Sequence, residues 1–355
     1  MERMNDLEHA VRRIGPLDEN AIRLARGRLD RLTKPPGSLG RLEDIAAQVA
    51  GVCGRLDPDL SRKAVIVMAA DHGVCAEGVS AYPQEVTAQM VRNFLNGGAA
   101  VNVFARQAGA DVFCVDVGVN ADVAHPRLYS RKVRRGTGNI AVGPAMSVGE
   151  AIRAIAAGVE LVDELARDGY RLFATGEMGI GNTTPSAALL AALTGTDPQE
   201  TVGRGTGIDD AGWRRKCDVV RRALAVNRPD ASDPLGTLAK LGGLEIAGLV
   251  GVVIGAAANR CPVVIDGFIS TVAALVAVRI APLAAGYMLP SHLSEERGHR
   301  LALKSVGLKP VLEMDMRLGE GTGAVLCFPL VEAAVRMMNE MATFDSAGVS
   351  GPTVT

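Results

Sequence analysis

The feature that most constrains the fold is an order of elements that recurs along the chain: a short apolar segment, a polar turn with glycine, and a helical pattern. Residues 64–70 are continuously apolar and end at Asp71-His72-Gly73. Strands that are apolar on both sides are typical of parallel sheets covered by helices on two faces. Similar segments cover residues 111–117, 171–175, 262–265 and 311–316. The recurring order predicts a doubly wound α/β fold with a parallel sheet.

Polar side chains stand directly after four of these segments. They are Asp71 with His72, Glu177, Asp266 and Glu320. Ligands of open α/β sheets bind beyond the carboxyl ends of the strands, so we expect these side chains to converge on one rim. Glu177 and Glu320 each lie in a glycine-flanked turn, which makes them a candidate acid–base pair.

Composition excludes several classes of function. The formal net charge is −1, so no basic field is available to hold a nucleic acid backbone. The longest apolar stretch, residues 246–258, is shorter than the roughly 20 residues of a membrane span, and residues 1–13 lack a signal-peptide core. The six cysteines form no C-x-x-C pair, which argues against a zinc site. These observations predict a cytoplasmic protein that binds neither nucleic acid nor membrane.

Three glycine-rich loops could cradle a phosphate: residues 176–184, 203–207 and 319–323. Glycine lets backbone N–H groups approach an anion closely, and a helix N-terminus adds partial positive charge. The third loop matches a dinucleotide-binding pattern, but too few residues follow it to complete that motif. Walker A, G-x-S-x-G and H-E-x-x-H sequences are absent. His72 has no second histidine at metal-ligand spacing, so we expect no metal site.

Six segments, in order along the chain, together resemble the family of nicotinate-nucleotide–dimethylbenzimidazole phosphoribosyltransferases. They are residues 32–40 (LTKPPGSLG), 70–74 (ADHGV), 138–147 (GNIAVGPAMS), 181–185 (GNTTP), 264–268 (VIDGF) and 316–324 (MRLGEGTGA). The resemblance runs from about Leu32 to Met341 and is far more specific than any single glycine loop.

The resemblance implies an architecture. It implies a Rossmann-like parallel sheet of about six strands with helices on both faces, spanning residues 62–325. It also implies a smaller helical domain assembled from both chain ends, residues 1–61 and 326–355. Members of the family work as homodimers with shared active sites, and their chemistry needs no metal or other cofactor.

The resemblance also assigns residues. Glu320 matches the proposed catalytic base, and Glu177 also faces the reaction site. The acceptor base is expected near Ser80 and Gln89, with Met178 and Leu318 beside the two glutamates. The phosphate and ribose are expected at Gly176, Gly203, Gly205, Lys216 and Ser291.

The implied reaction transfers the phosphoribosyl group of nicotinate mononucleotide to dimethylbenzimidazole, giving α-ribazole 5′-phosphate and nicotinate in cobalamin nucleotide-loop assembly. Two alternatives stay open. The same transfer could use another base, such as adenine or a phenol. A non-catalytic nucleotide-binding regulator could keep the fold, although the presence of both Glu177 and Glu320 argues against it.

Overall fold

A parallel sheet of six strands forms the centre of the computed structural model, which describes residues 2–351 and the side chains of residues 6–351. The strands are Lys63–Ala70 (β1), Ala110–Gly118 (β2), Tyr129–Ser130 (β3), Leu172–Met178 (β4), Val263–Ile265 (β5) and Met288–Pro290 (β6). Their order is β3-β2-β1-β4-β5-β6, and every neighbouring pair is parallel. This is the strand order of a doubly wound nucleotide-binding fold. The predicted Rossmann-like α/β class is confirmed.

Helices cover both faces of this sheet. They are Glu2–Arg12 (α1), Glu19–Leu29 (α2), Arg41–Cys53 (α3), Val86–Asn96 (α4), Ala100–Ala108 (α5), Val148–Arg167 (α6), Thr183–Thr194 (α7), Pro198–Thr201 (α8), Asp210–Asn227 (α9), Pro234–Leu241 (α10), Leu244–Ala258 (α11), Phe268–Ile280 (α12), His299–Val306 (α13), Thr322–Glu340 (α14) and Phe344–Ala347 (α15).

Alternate residues of β1 belong to different hydrophobic cores. Ile66 and Met68 pack with α6, α11 and α12, whereas Val65 and Val67 pack with α3, α5 and α14. Because successive strand side chains point to opposite faces, a strand buried on both faces must be apolar throughout. That requirement explains the continuous apolar run from which the fold was predicted.

One strand prediction was wrong in place and extent. The segment 311–316 contributes only Leu312–Glu313 (β8), which pairs with His292–Leu293 (β7) in a separate two-stranded sheet. The sixth strand of the main sheet is instead β6. Residues 313–315 are exposed, so this segment could not serve as a buried central strand.

Helices from both chain ends meet on one face of the sheet. Residues of α2, α3 and α14 share a hydrophobic core, which also contains Val65 and Val67 of β1. The division into a catalytic domain (62–325) and a smaller helical domain (1–61 and 326–355) stays a prediction, and residues 1 and 352–355 lie outside the described residues. Within residues 2–351, no helix combines the length and apolar character of a membrane span.

Glycines allow α6 and α11 to pack backbone against backbone. A Cβ atom at Gly251 of α11 would overlap the carbonyl oxygen of Ile155, and one at Gly158 of α6 would overlap the carbonyl oxygen of Gly248. Both helices carry buried apolar residues over most of their length. The two helices can therefore approach closely only because glycine, which has no side chain, stands at these positions.

We predict that Gly251→Ala lowers the free energy of unfolding by about 1–3 kcal/mol, because the new methyl group forces the packed helices apart. The control is Gly27→Ala in the exposed part of α2, where a Cβ would meet nothing within 4 Å. That change should raise stability by roughly 0.5–1 kcal/mol through helix propensity. Urea unfolding of both variants measures the difference, and a neutral Gly251→Ala would contradict the close contact.

Candidate active site

A cavity of about 500 Å³ lies beyond the carboxyl ends of β4 and β5. Its wall is formed mainly by residues 177–183, 266–270 and 317–320, with Gly205 and His292 among the others. Glu177, Asp266 and Glu320 therefore converge at one rim, as expected. Asp71 and His72, expected at the same rim, do not line the cavity, and Glu320 reaches it from the loop before α14 and not from the end of a strand in the main sheet. The helices α7 and α12 begin at this wall, so their N-terminal backbone N–H groups favour an anionic ligand.

The backbone that carries Glu320 is left-handed over three consecutive residues. The φ angles are +88° at Gly319, +65° at Glu320 and +94° at Gly321. A left-handed conformation is unfavourable for a residue with a side chain, and it persists only where the surroundings fix it. Gly176 of β4 lies directly beneath: a Cβ there would come within 2.5 Å of the Glu320 carbonyl oxygen. The structure thus places Gly176 under the Glu320 backbone and not at the cavity wall.

Asp266 fixes this segment. Its two carboxylate oxygens accept hydrogen bonds from the backbone N–H groups of Gly321 (3.1 Å) and Ala324 (3.0 Å). These donors lie at the start of α14, whose N-cap residue Gly321 has no side chain to cap the helix. A carboxylate at a helix N-terminus also interacts favourably with the helix dipole. Asp266 therefore ties the end of β5 to the position of Glu320.

Glu177 lies beside Glu320 at the end of β4 and is 6% exposed. The Asn182 side-chain amide donates a hydrogen bond to its carboxylate. Gly319 is in close contact with the same carboxylate, and a side chain at that position would collide with it. The two glutamates thus sit on adjoining segments, one on a strand and one on the loop above it.

The surroundings separate the pKa values of the two glutamates. Burial raises the pKa of Glu320 to about 6, opposed by the Val101 backbone N–H and assisted by the negative charge of Asp266. Burial raises the pKa of Glu177 further, to about 8, and the charges of Glu245 and Asp266 add to that rise. Near neutral pH, Glu320 is therefore mainly a carboxylate and Glu177 mainly a carboxylic acid. Two acidic groups with separated pKa values are a frequent arrangement in acid–base active sites.

Behind this wall, His72 and Glu245 form a buried pair. The His72 Nε2 atom lies 2.7 Å from Glu245 Oε1, and both side chains are almost inaccessible to solvent. The pair sits against Gly179, where a Cβ would come within 3.0 Å of the His72 ring. Among residues 6–351, no cluster of three or more His, Cys, Asp or Glu side chains could hold a metal ion.

Lys216 stands behind the opposite wall of the cavity. Its side chain is fully buried, and its Nζ donates a 2.6 Å hydrogen bond to Thr183 Oγ1 at the start of α7. Gly205 packs on both groups and has a φ of +52°. Burial lowers the pKa of Lys216 to about 8, so the ammonium form still prevails at neutral pH. Thr183 and Gly205 line the cavity, while Lys216 supports them from behind.

The cavity includes about half of the predicted site residues. Those that line it are Ser80, Glu177, Met178, Gly205, Leu318 and Glu320. Gly203 packs on Glu296 outside the main cavity, and Ser291 is buried with its hydroxyl 3.0 Å from His292 Nδ1. The wall instead contains Gly179 and Ser294, each three residues beyond the predicted Gly176 and Ser291.

Gln89 is displaced by its position on a helix. Val86 and Met90 of α4, four residues apart, line the cavity, whereas Gln89 is exposed. Because successive helical residues differ by about 100° in direction, a shift of one position moves a side chain to another face. Sequence reasoning also missed much of the apolar wall, although the i, i+4 spacing of Val86 and Met90 could have indicated it. That wall comprises Val79, Tyr82, Val86, Met90, Met178, Ile180 and Leu318.

Known proteins are similar to this chain over nearly its whole length. The family model described as phosphoribosyltransferase matches residues 14–349. A nicotinate-nucleotide–dimethylbenzimidazole phosphoribosyltransferase of Desulforudis audaxviator is 56% identical and covers 98% of this chain and 99% of its own length. One of Chloroflexus aggregans is also 56% identical, with the same coverage. The crystal structure of CobT from Thermus thermophilus superposes with a TM-score of 0.91 at 51% identity, covering 94% of this chain and 100% of that one.

The electrostatics of the site predict that Glu177 costs stability at alkaline pH. A carboxyl group whose pKa rises from 4.5 to about 8 on folding binds its proton more tightly in the folded protein. The folded state therefore loses stability as the pH rises from 4.5 towards about 8. Glu177→Gln removes this loss and should stabilise the protein by about 1–3 kcal/mol at pH 8, with little effect at pH 5.

Denaturant unfolding at the two pH values measures the effect. The control is Glu313→Gln in β8, where the side chain is exposed and the change should be neutral at both. An equal effect of Glu177→Gln at pH 5 and pH 8 would show that its burial does not suppress ionisation.

Proposed function

The chain belongs to the family of nicotinate-nucleotide–dimethylbenzimidazole phosphoribosyltransferases, and we propose that the cavity at the carboxyl ends of β4 and β5 is where its reaction takes place. The protein is a pentosyltransferase of cobalamin biosynthesis. Its substrates are nicotinate mononucleotide and dimethylbenzimidazole, and its products are α-ribazole 5′-phosphate and nicotinate.

The reaction needs one proton acceptor and no general acid. The nicotinate ring nitrogen is already a pyridinium, so breaking its bond to the anomeric carbon releases a neutral ring nitrogen. A benzimidazole nitrogen forms the new bond from the opposite face, which inverts the β linkage to α. The positive charge then resides on the benzimidazole ring, which becomes neutral when its N–H proton passes to a base.

Glu320 is that base, and the observation that carries this assignment is its place at the cavity wall, on a backbone that Asp266 and Gly176 hold in position. With a pKa of about 6 it is mainly a carboxylate near neutral pH, whereas its neighbour Glu177 is mainly protonated. Its Oε2 atom has no hydrogen-bond partner among the described residues. That atom is buried, so a ligand N–H that displaced its cover would satisfy an acceptor that is otherwise unpaired.

Glu177 stabilises positive charge on the ribose. In the free protein, burial favours its protonated form. The nucleotide brings a pyridinium cation, and an opposite charge nearby lowers the pKa of a carboxyl group. Substrate binding thus favours the ionised form of Glu177 at the time when the anomeric carbon becomes electron-deficient.

The acceptor base and the phosphate of the nucleotide occupy opposite ends of the cavity. The flat dimethylbenzimidazole packs between Met178 and Leu318, near Ser80 on the apolar wall. The phosphate binds at the N-terminus of α7 and at Gly205, with Lys216 supplying the charge behind them. We do not assign Gln89 to the base site, because its side chain is exposed.

The protein acts as a homodimer whose active sites are shared. Tyr82 (56% exposed) and Leu318 (58% exposed) both line the cavity and are unusually accessible for large apolar side chains. A second subunit that covers them would complete the apolar wall around the acceptor base. Free thiols at all six cysteines support a place in the reducing cytoplasm.

The test of the base assignment is Glu320→Gln. We expect kcat to fall by roughly 10²–10⁴, the usual contribution of a positioned general base. In the wild type, kcat/KM should decline below about pH 6 as Glu320 becomes protonated, and this acidic limb should vanish in the variant. Steady-state kinetics from pH 5 to 9 measure both, and calorimetry checks that nicotinate mononucleotide still binds.

Glu177→Gln is the matched control, because it neutralises the adjoining carboxyl group. It should lower kcat less, since it removes charge stabilisation but leaves the proton acceptor. Near-normal kcat in Glu320→Gln together with an inactive Glu177→Gln would reverse the two roles.

The phosphate assignment is tested by Lys216→Met, which removes the charge but keeps most of the buried stem. We expect the KM for nicotinate mononucleotide to rise roughly tenfold to 100-fold, because one charge-assisted contact is worth about 1.5–3 kcal/mol. The KM for dimethylbenzimidazole should change little. Equal effects on the two KM values would place the phosphate elsewhere.

A further inference from the structure

Glu296 is a buried carboxylate that the mechanism above does not use. It lies between β7 and α13, lines the cavity and is 8% exposed. Its Oε1 atom accepts a 2.8 Å hydrogen bond from the backbone N–H of Gly205. Its Oε2 atom has no hydrogen-bond partner among the described residues and lies in close contact with Gly203. Burying a carboxylate costs free energy unless hydrogen bonds or a nearby positive charge offset the loss of water.

The contacts of Glu296 lead to Lys216 through the glycine loop. A Cβ atom at Gly205 would lie 3.1 Å from Lys216 Nζ and 2.8 Å from Thr183 Oγ1. The loop is therefore held between a carboxylate on one side and the Lys216–Thr183 pair on the other. Glu296 is also close enough for its negative charge to oppose the loss of a proton from the Lys216 ammonium.

The charge of Glu296 acts in that direction. Burial lowers the pKa of Lys216 to about 8, and the charges of Glu296 and Cys217 raise it. Burial raises the pKa of the Cys217 thiol, so that group is uncharged near neutral pH. This leaves Glu296 as the ionised group that favours the ammonium form.

We propose that Glu296 is a positioning residue for the phosphate of the nucleotide, acting through the Gly205 backbone and the Lys216 ammonium. The inference rests on the proposed function, in which Lys216 serves the phosphate site. Glu296 itself does not touch the phosphate, because two anions in contact would repel each other. It holds the loop in place and keeps its cationic neighbour charged.

The test is Glu296→Gln, because a glutamine oxygen can still accept the Gly205 N–H while the charge is lost. Calorimetry gives the Kd for nicotinate mononucleotide, without acceptor base, from pH 6.5 to 8.5. The ratio of variant to wild-type Kd cancels the titration of the ligand phosphate and of Glu177, which both proteins share. We expect a ratio near one at pH 6.5 that rises to about tenfold at pH 8.5, the effect of a one-unit decrease in the pKa of Lys216.

Three further variants test whether the effect comes from the charge of Glu296 and acts through Lys216. Glu295→Gln, at the exposed neighbouring position, should give a ratio of one throughout. Glu296→Asp keeps the charge but withdraws it from Gly205, so it should weaken binding by the same factor at every pH. On a Lys216→Met background, Glu296→Gln should lose its pH dependence. Thermal unfolding at each pH checks that every variant is folded.

A ratio for Glu296→Gln that does not change with pH would overturn the proposal, as would a pH-dependent ratio that persists with Lys216→Met. If Lys216→Met alone leaves the Kd unchanged, the phosphate assignment of the proposed function fails and this inference falls with it. If Lys216→Met weakens binding and the Glu296→Gln ratio is flat, only the present inference fails.

Discussion

The carboxylate of Asp266 is the interaction on which the geometry of the site depends. It joins the end of β5 to the first turn of α14 through the backbone N–H groups of Gly321 and Ala324. The left-handed backbone at Glu320 would otherwise relax, because a residue with a side chain disfavours that conformation even between two glycines. Gly176 and Gly319 then let the loop lie close to the strand beneath it and to Glu177. One capped helix thus sets the distance between the two glutamates.

Several acidic side chains lie close together around this helix terminus, and their proximity affects both the stability of the protein and its chemistry. Asp266 raises the pKa of each glutamate, and Glu245 adds to the effect at Glu177. Repulsion and burial make the folded protein less stable at high pH. The same effects leave one glutamate ionised and the other protonated near neutral pH, which is what a reaction with one proton acceptor requires.

Sequence patterns predicted the strands and the rim more accurately than the individual contacts. A buried apolar segment identifies a strand and therefore the residue that follows it, which is how Glu177 and Asp266 were brought together. Glu320 reaches the same rim from the loop before α14, although the strand predicted before it does not belong to the main sheet. Two-residue strands such as β3 carry no periodic pattern, so their place in the sheet could not be predicted.

The differences between the predicted site residues and those that line the cavity have a common physical origin. Gly176 and Ser291 belong to the correct segments, but Gly179 and Ser294, three residues further on, form the wall. Which residue of a tight turn faces a cavity depends on backbone angles that residue types alone do not determine. On a helix, an error of one residue already moves the predicted side chain to another face. Gln89 is exposed, whereas the next residue, Met90, lines the cavity.

The distribution of charge in the cavity also favours one orientation of a bound nucleotide. Asp266 and Glu320 make one end of the cavity negative, whereas Lys216 and the N-terminus of α7 contribute positive charge at the other end. Nicotinate mononucleotide carries a pyridinium cation at one end of its ribose and a phosphate anion at the other. The reversed orientation would place like charges together at both ends, at a cost that opposes binding. In the proposed binding mode, the charges that hold the phosphate therefore also present the anomeric carbon to the two glutamates.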